Sequence, residues 1–197
     1  MIGEQSSSKH VSKGNDMRAI CGVFRTIVNS IKFELLKICG CRIQCKGRCT
    51  SRLDNEYRIS KDGKLEIGYH FASLGRCRFL VSGGVLKIGD NVGLNTNCII
   101  ACHEKIEIGS NVEFGPNVCV YDHDHDFRAE GGLKAGKFKT APVFIGEGTW
   151  IGANSIILKG TQIGRDCVIG AGSIVSGVVP DNSIFTQRRE TRIKPIV

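Results

Sequence analysis

The chain has 197 residues, 25 of them glycine and only 4 proline, and a formal net charge of +8. That length carries one folded domain with small appendages, and the low proline count excludes a collagen-like or Pro-rich linker protein. No apolar run approaches the ~18 residues a bilayer span requires, and with one Trp, three Tyr and no recognition motif the basic balance points to a phosphate-bearing cofactor or a membrane surface, with no nucleic acid partner.

Residues 1–16 are polar and lack the apolar segment of a secretory signal, so they are expected to be a disordered tail on a cytoplasmic protein. Residues 17–40 form an amphipathic helix, because Ile20, Val23, Phe24, Ile27, Val28, Ile31, Leu35 and Ile38 recur at spacings of three and four. Two readings of its apolar face stand side by side. It packs on the end of the following domain and covers edge strands, or it lies in a membrane interface with Arg18, Arg25, Lys32 and Lys37 on the remaining positions. The second makes the protein peripheral at the inner face of the membrane. Residues 1–52 carry ten Lys/Arg against three Asp/Glu. The cysteines Cys39, Cys41, Cys45 and Cys49 lack the paired C-x2-C of a zinc ribbon. The ten cysteines of the chain therefore read as small apolar fillers in a reducing compartment.

From 41 to 187 the chain is built on a six-residue repeat. Its clearest run is IGEGTW, IGANSI, ILKGTQ, IGRDCV, IGAGSI, VSGVVP. The first position is Ile145, Ile151, Ile157, Ile163, Ile169 and Val175, and the fifth is always small or β-branched. Earlier, Ile88 opens IGDNVG, LNTNCI, IACHEK, and Ile108 opens IGSNVE, FGPNVC, VYDHDH after a two-residue insertion; Ile67 marks a weaker start. A period of six is even, so each rung keeps the same face of a short strand inward, whereas on a helix six steps scatter the apolar positions. The Gly, Asn and Asp after each aliphatic residue are assigned to the turns. One rung cannot bury its aliphatic residue alone, so the rungs must stack into a solenoid. Between Asp126 and Val143 a polar, basic, Gly-containing stretch interrupts the repeat, and loop 126–143 is expected to stand outside the coil. Residues 188–197 form a basic tail.

Over residues 59–187 the sequence resembles the hexapeptide-repeat acyltransferases, most closely the galactoside and maltose acetyltransferase-like enzymes. The cluster YDHDHDF followed by WIGANSIILKG is similar to O-acetyltransferases of surface polysaccharides such as capsule or O-antigen. The resemblance implies an all-β fold, a left-handed parallel β-helix with three sixes per coil. It implies a homotrimer that uses acetyl-CoA as co-substrate, needs no metal, and acetylates a sugar or lipid-linked sugar.

Acyl transfer from a thioester to a hydroxyl needs a base, and imidazole suits the task. The five histidines are His10, His70, His103, His123 and His125. His123 and His125 end the last hexapeptide before the loop, interleaved with aspartates; a metal site or a solvated edge are the other readings of that cluster. By resemblance the base is the His in sixth place, His125, with His123 as runner-up. Asp122 or Asp124 would fix the imidazole tautomer, and Asp122 also stands as an acceptor contact. Asn95 corresponds to a site residue bordering acceptor and thioester, and is equally an Asn stack or turn residue. His103 takes the place of an acidic acceptor contact. Trp150 corresponds to an aromatic near the base of a neighbouring subunit. Ala153, Ala171, Ser176, Gly177 and Lys194 would line the CoA site. The usual C-terminal G-x-P-A-K motif is replaced by TQRRETRIK, which leaves Arg188, Arg189 and Arg192 as further phosphate-binding candidates. Two other classes share this architecture: a non-catalytic β-helix scaffold, and a γ-carbonic-anhydrase-like zinc enzyme, whose histidine spacing DHDHD does not match.

Overall fold

The structure, a computed structural model, describes residues 7–188, 190 and 193, with side chains from Ile20 onward. One N-terminal helix, Ser7–Ile38, precedes a solenoid of short strands. The helix starts ten residues before the periodic stretch, inside the segment expected to be a disordered tail. Polar residues such as those at 7–16 are poor at burying surface but are not helix breakers, and no proline stands among them.

The strands form three parallel sheets, the three faces of a prism of about six coils. The first face has seven strands, from Arg42–Cys45 to Val178–Val179; the second has six, from Ala72–Ser73 to Ile184–Phe185; the third has six, from Glu56–Ile59 to Ile174–Val175. The aliphatic first positions stack directly. Ile145 pairs with Ile163, Ile151 with Ile169 and Ile157 with Val175, and all six are buried. Earlier coils keep the ladder despite their extra residues, since Ile67 pairs with Ile88 and Ile88 with Ile108. The excess is pushed out at the corners.

The fifth positions explain themselves at those corners. Thr149, Ser155, Thr161, Cys167 and Ser173 are buried. Thr149 Oγ1 donates to the Gly164 carbonyl at 3.0 Å, Ser155 Oγ to Gly170 at 3.2 Å, and Thr161 Oγ1 to Val175 at 3.1 Å, each one coil on. Cys167 Sγ does the same to Pro180 at 3.0 Å. A small residue fits the corner, and its hydroxyl or thiol satisfies a carbonyl that the turn leaves free.

The turn conformation belongs to the fourth position, not to the glycine after the aliphatic residue. Asn91, Asn97, Asn111, Asn117, Asn154 and Asp166 have φ between 52° and 62°, the left-handed region that Asn and Asp tolerate best. His70 occupies the same place, with φ 57°. The second-position glycines answer a different need. A Cβ on Gly152 would lie 2.6 Å from the Ala171 nitrogen and 2.7 Å from the Ile169 oxygen, so it is the closeness of the next coil that excludes a side chain.

The helix closes the open end of the prism through a polar and aromatic face. Asn29 is fully buried, and its Nδ2 donates to the carbonyls of Cys49 at 3.1 Å and Ser51 at 2.8 Å. Lys32 Nζ donates to the Asn55 carbonyl at 2.8 Å, and Phe33 packs edge-on against Tyr57 at 5.3 Å. At the far end Gln187 closes the third face: its Nε2 donates to the Ile174 carbonyl at 2.8 Å and its Oε1 accepts the Ile174 N–H at 2.9 Å. All ten cysteines are free thiols. Cys49, Cys77, Cys98, Cys102 and Cys167 are buried fillers as expected, whereas Cys21 and Cys39 are exposed on or beside the helix.

Candidate active site

The chemistry-bearing residues gather at the edge where the third face turns into the first. Two departures from the six-residue repeat meet there. The first is the insertion at 103–104, between the strands Ile99–Cys102 and Lys105–Ile108. The second is the excursion before Val143. It is not a plain loop: His123–His125 pairs antiparallel with Phe138–Thr140, and a short 3-10 turn, Gly132–Ala135, lies between them.

Asp122 ties the two together. It is fully buried. Its carboxylate accepts the N–H groups of His103 at 2.8 Å, Glu104 at 2.8 Å and Lys105 at 2.8 Å. Burial alone would raise its pKa. The backbone N–H groups of His103 and Glu104, with the His123 ring, outweigh that and hold it below the ordinary carboxylate value. The carboxylate therefore stays ionised and pins the inserted turn.

The fourth partner of Asp122 is the ring of His123, whose Nδ1 lies 3.0 Å from Oδ1. His123 is nearly covered, its side chain 14% exposed. The ring of His103 stacks on it with centroids 3.7 Å apart. Burial first, and then the neighbouring His123, lower the His103 pKa, so His103 stays neutral near neutral pH. Phe138, from the returning arm of the hairpin, lies against all three rings: 4.3 Å from His103, 5.3 Å from His123 and 4.7 Å from His125. The carboxylate thus meets His123 rather than His125, the first-ranked base of the sequence reading. His125 is exposed, beside Phe138. Asp124, the other candidate for fixing a tautomer, instead reaches Lys159 at 3.5 Å.

Phe138 had no place among the expected site residues. The hint in the sequence is that the polar, basic loop carries two aromatics, Phe127 and Phe138, and nothing in the pattern separates them.

The remaining candidates lie elsewhere on one chain. Ser176 and Gly177 follow the last strand of the third face, on the same edge as the histidines but in a later coil. Trp150 is exposed on the second face. Asn95, Ala153 and Ala171 lie along the edge between the second and third faces. Asn95 Oδ1 accepts the Thr96 N–H at 2.8 Å, as a turn residue does. The Asn stack is formed by its neighbours instead: Asn97 Nδ2 donates to Asn117 at 3.1 Å and Asn117 Nδ2 to Asn154 at 3.0 Å. Lys194, Arg189 and Arg192 lie outside the described residues; Arg188 is exposed. A groove of about 680 Å³ runs along the first face past Glu66, Lys87, Glu107 and Arg165, but none of the histidines lines it. Among the described residues no group of three or more His, Cys, Asp or Glu is arranged to hold a metal ion.

Residues 142–177 match the family described as Bacterial transferase hexapeptide (six repeats). WbbJ of Escherichia coli, named for O-acetyl transfer in lipopolysaccharide biosynthesis, is 32% identical over 136 residues, covering 64% of this chain and 69% of the relative. The galactoside O-acetyltransferase of Escherichia coli is 37% identical over 102 residues, covering 52% of this chain and 50% of the relative. The chain spans about half or less of the other curated relatives it matches. In fold it is similar to a solved mutant of AntD, an N-acyltransferase from Bacillus cereus, in complex with dTDP-4-amino-4,6-dideoxyglucose and coenzyme A. That likeness has a TM-score of 0.65 at 21% identity and covers 82% of this chain and 87% of the other.

Proposed function

The chain belongs to the hexapeptide-repeat acyltransferase family, and from that premise we propose that it transfers an acetyl group from acetyl-CoA to a sugar hydroxyl in surface-polysaccharide synthesis. The observation that carries the assignment of roles is the 3.0 Å contact between Asp122 and His123. With Nδ1–H given to the carboxylate, Nε2 is left basic and in a fixed orientation. His123 takes the acceptor hydroxyl proton, the oxygen attacks the thioester carbonyl, and the C–S bond breaks as the tetrahedral adduct collapses. The proton on His123 then passes to the departing CoA sulfur, which leaves as the thiol. The ionised Asp122 stabilises the imidazolium in between. This reading moves the base from His125 to His123; His125, exposed and without a carboxylate partner, becomes a residue of the acceptor side.

The homotrimer is part of the same proposal. The histidines on one edge and the Asn95, Ala153 and Ala171 column on another are separated by a whole face of the prism. A site using both must be assembled from two copies, with Trp150 supplied by the second. Sedimentation equilibrium should give three times the 21.4 kDa chain mass; a fully active monomer would refute the shared site.

The test of the function is CoA release from acetyl-CoA against nucleotide sugars, lipid-linked sugars and simple glycosides, with His123→Ala and His125→Ala alongside the wild type. Acceptor-dependent release that His123→Ala abolishes supports the reading. No release with any acceptor, together with no thermal stabilisation by CoA, favours the scaffold.

A further inference from the structure

The apolar stripe of the N-terminal helix is not the face that covers the prism. Asn29 and Phe33 are buried against the first coil, and Leu36 is half-buried. Ile20, Val23, Phe24, Ile27, Ile31, Leu35 and Ile38 point the other way, each 54% to 81% exposed. Their spacing puts them on one side of the helix along about 27 Å of its axis. An apolar strip of that length is larger than an isolated soluble surface normally carries.

From this we propose that the stripe seats the protein on an anionic lipid surface, with the helix lying in the plane of the headgroups. Three observations select that occupant. First, no helix among the described residues is long and apolar enough to cross a membrane, so the helix suits the boundary rather than the interior. Second, the helix and the coil it packs on carry an excess of positive charge, and the one acidic helix residue with a described side chain, Glu34, is paired to Lys37. The first coil, against which the helix packs, exposes Arg42, Lys46, Arg48 and Arg52, and residues 1–52 carry ten Lys/Arg against three Asp/Glu. Third, the two features join without a gap. Phe24 and Arg25 of the helix share a depression with Arg52, the exposed Leu53 and Asp54. A second copy docked by the same face would set these basic groups against themselves, whereas anionic headgroups neutralise them.

The test is flotation of the 197-residue chain with phosphatidylcholine vesicles, with and without phosphatidylserine. The wild type should float with the phosphatidylserine vesicles and be released by salt. The triple variant Phe24→Ser, Ile27→Ser, Ile31→Ser should lose binding on the order of a hundredfold. All three side chains face solvent, so melting temperature and CoA release should be unchanged. Arg48→Gln with Arg52→Gln should weaken binding only to the phosphatidylserine vesicles. Failure of the wild type to float would overturn the proposal. So would a triple variant that floats normally, or one whose only change is a smaller oligomer, since that would make a second copy the occupant. CoA release is read separately, so loss of the membrane inference leaves the acetyltransferase reading standing, and the reverse.

Discussion

The coils from Val143 to Val175 and the coil that ends at His123 use the same rung for opposite ends. In the later region strands of two or three residues repeat without interruption. Isoleucines stack on isoleucines, and each corner is closed by a hydroxyl or thiol from the fifth position. Nothing reactive is left over. In the earlier region the two-residue insertion and the hairpin break the repeat at one edge, and there the structure gathers three imidazoles, a buried carboxylate and Phe138. Regular rungs make a sealed rod; chemistry needs a corner that has been opened.

That contrast can be broken by pairs of substitutions. The largest expected effect is on rate: His123→Ala should lower turnover by about 10²–10⁴-fold with little change in melting temperature, because the residue belongs to no core ladder. His125→Ala should be milder, and the reverse order in an acetyl-CoA turnover assay would return the base to His125. Ile157→Ala in the regular region should do the opposite, costing about 2–5 kcal/mol in denaturant unfolding with normal turnover while folded. Asp122→Asn should do both at once, because it serves turn and base together. We expect about tenfold or more in turnover and about 1–3 kcal/mol in stability, the scale of stranding buried donors.

Asp122→Asn should also flatten the acid limb of the stability curve. The folded carboxyl titrates below its ordinary value, so its contribution is present above the unfolded range near 3.8 and lost as pH falls through the folded value. The smallest effect concerns His103, whose pKa burial and His123 depress. On acidification the unfolded chain takes that proton first, near about 6.5. Stability should therefore fall below neutrality, and His103→Gln should show a shallower fall in melting temperature between neutral and mildly acidic pH.

The ladder from Ile145 to Val175 and the small fifth positions were legible because each depends on an 18-residue coil that repeats without error. What the fifth position does was not, since the carbonyl that Thr149 or Ser155 satisfies is a coil away. Gly, Asn and Asp all read as turn residues, but the left-handed conformation sits two places beyond the glycine, at residues such as Asn91 and Asp166; composition alone does not distinguish room from conformation. Helical periodicity found the apolar stripe but not its orientation, because a pattern shows that one face is apolar and not what it meets. The buried side instead holds Asn29. Phe138 escaped because its contact with the histidines depends on hairpin pairing across a Gly-containing loop, where no hydrophobic alternation fixes the register.

A stack of parallel strands has no natural length: its last strand offers the next one everything it needs to add on. Here two primary amides act as chain terminators. Asn29 occupies the acceptors of Cys49 and Ser51 at the beginning, and Gln187 imitates a peptide group against Ile174 at the close. Each amide thereby occupies groups that a further parallel strand would need at that edge.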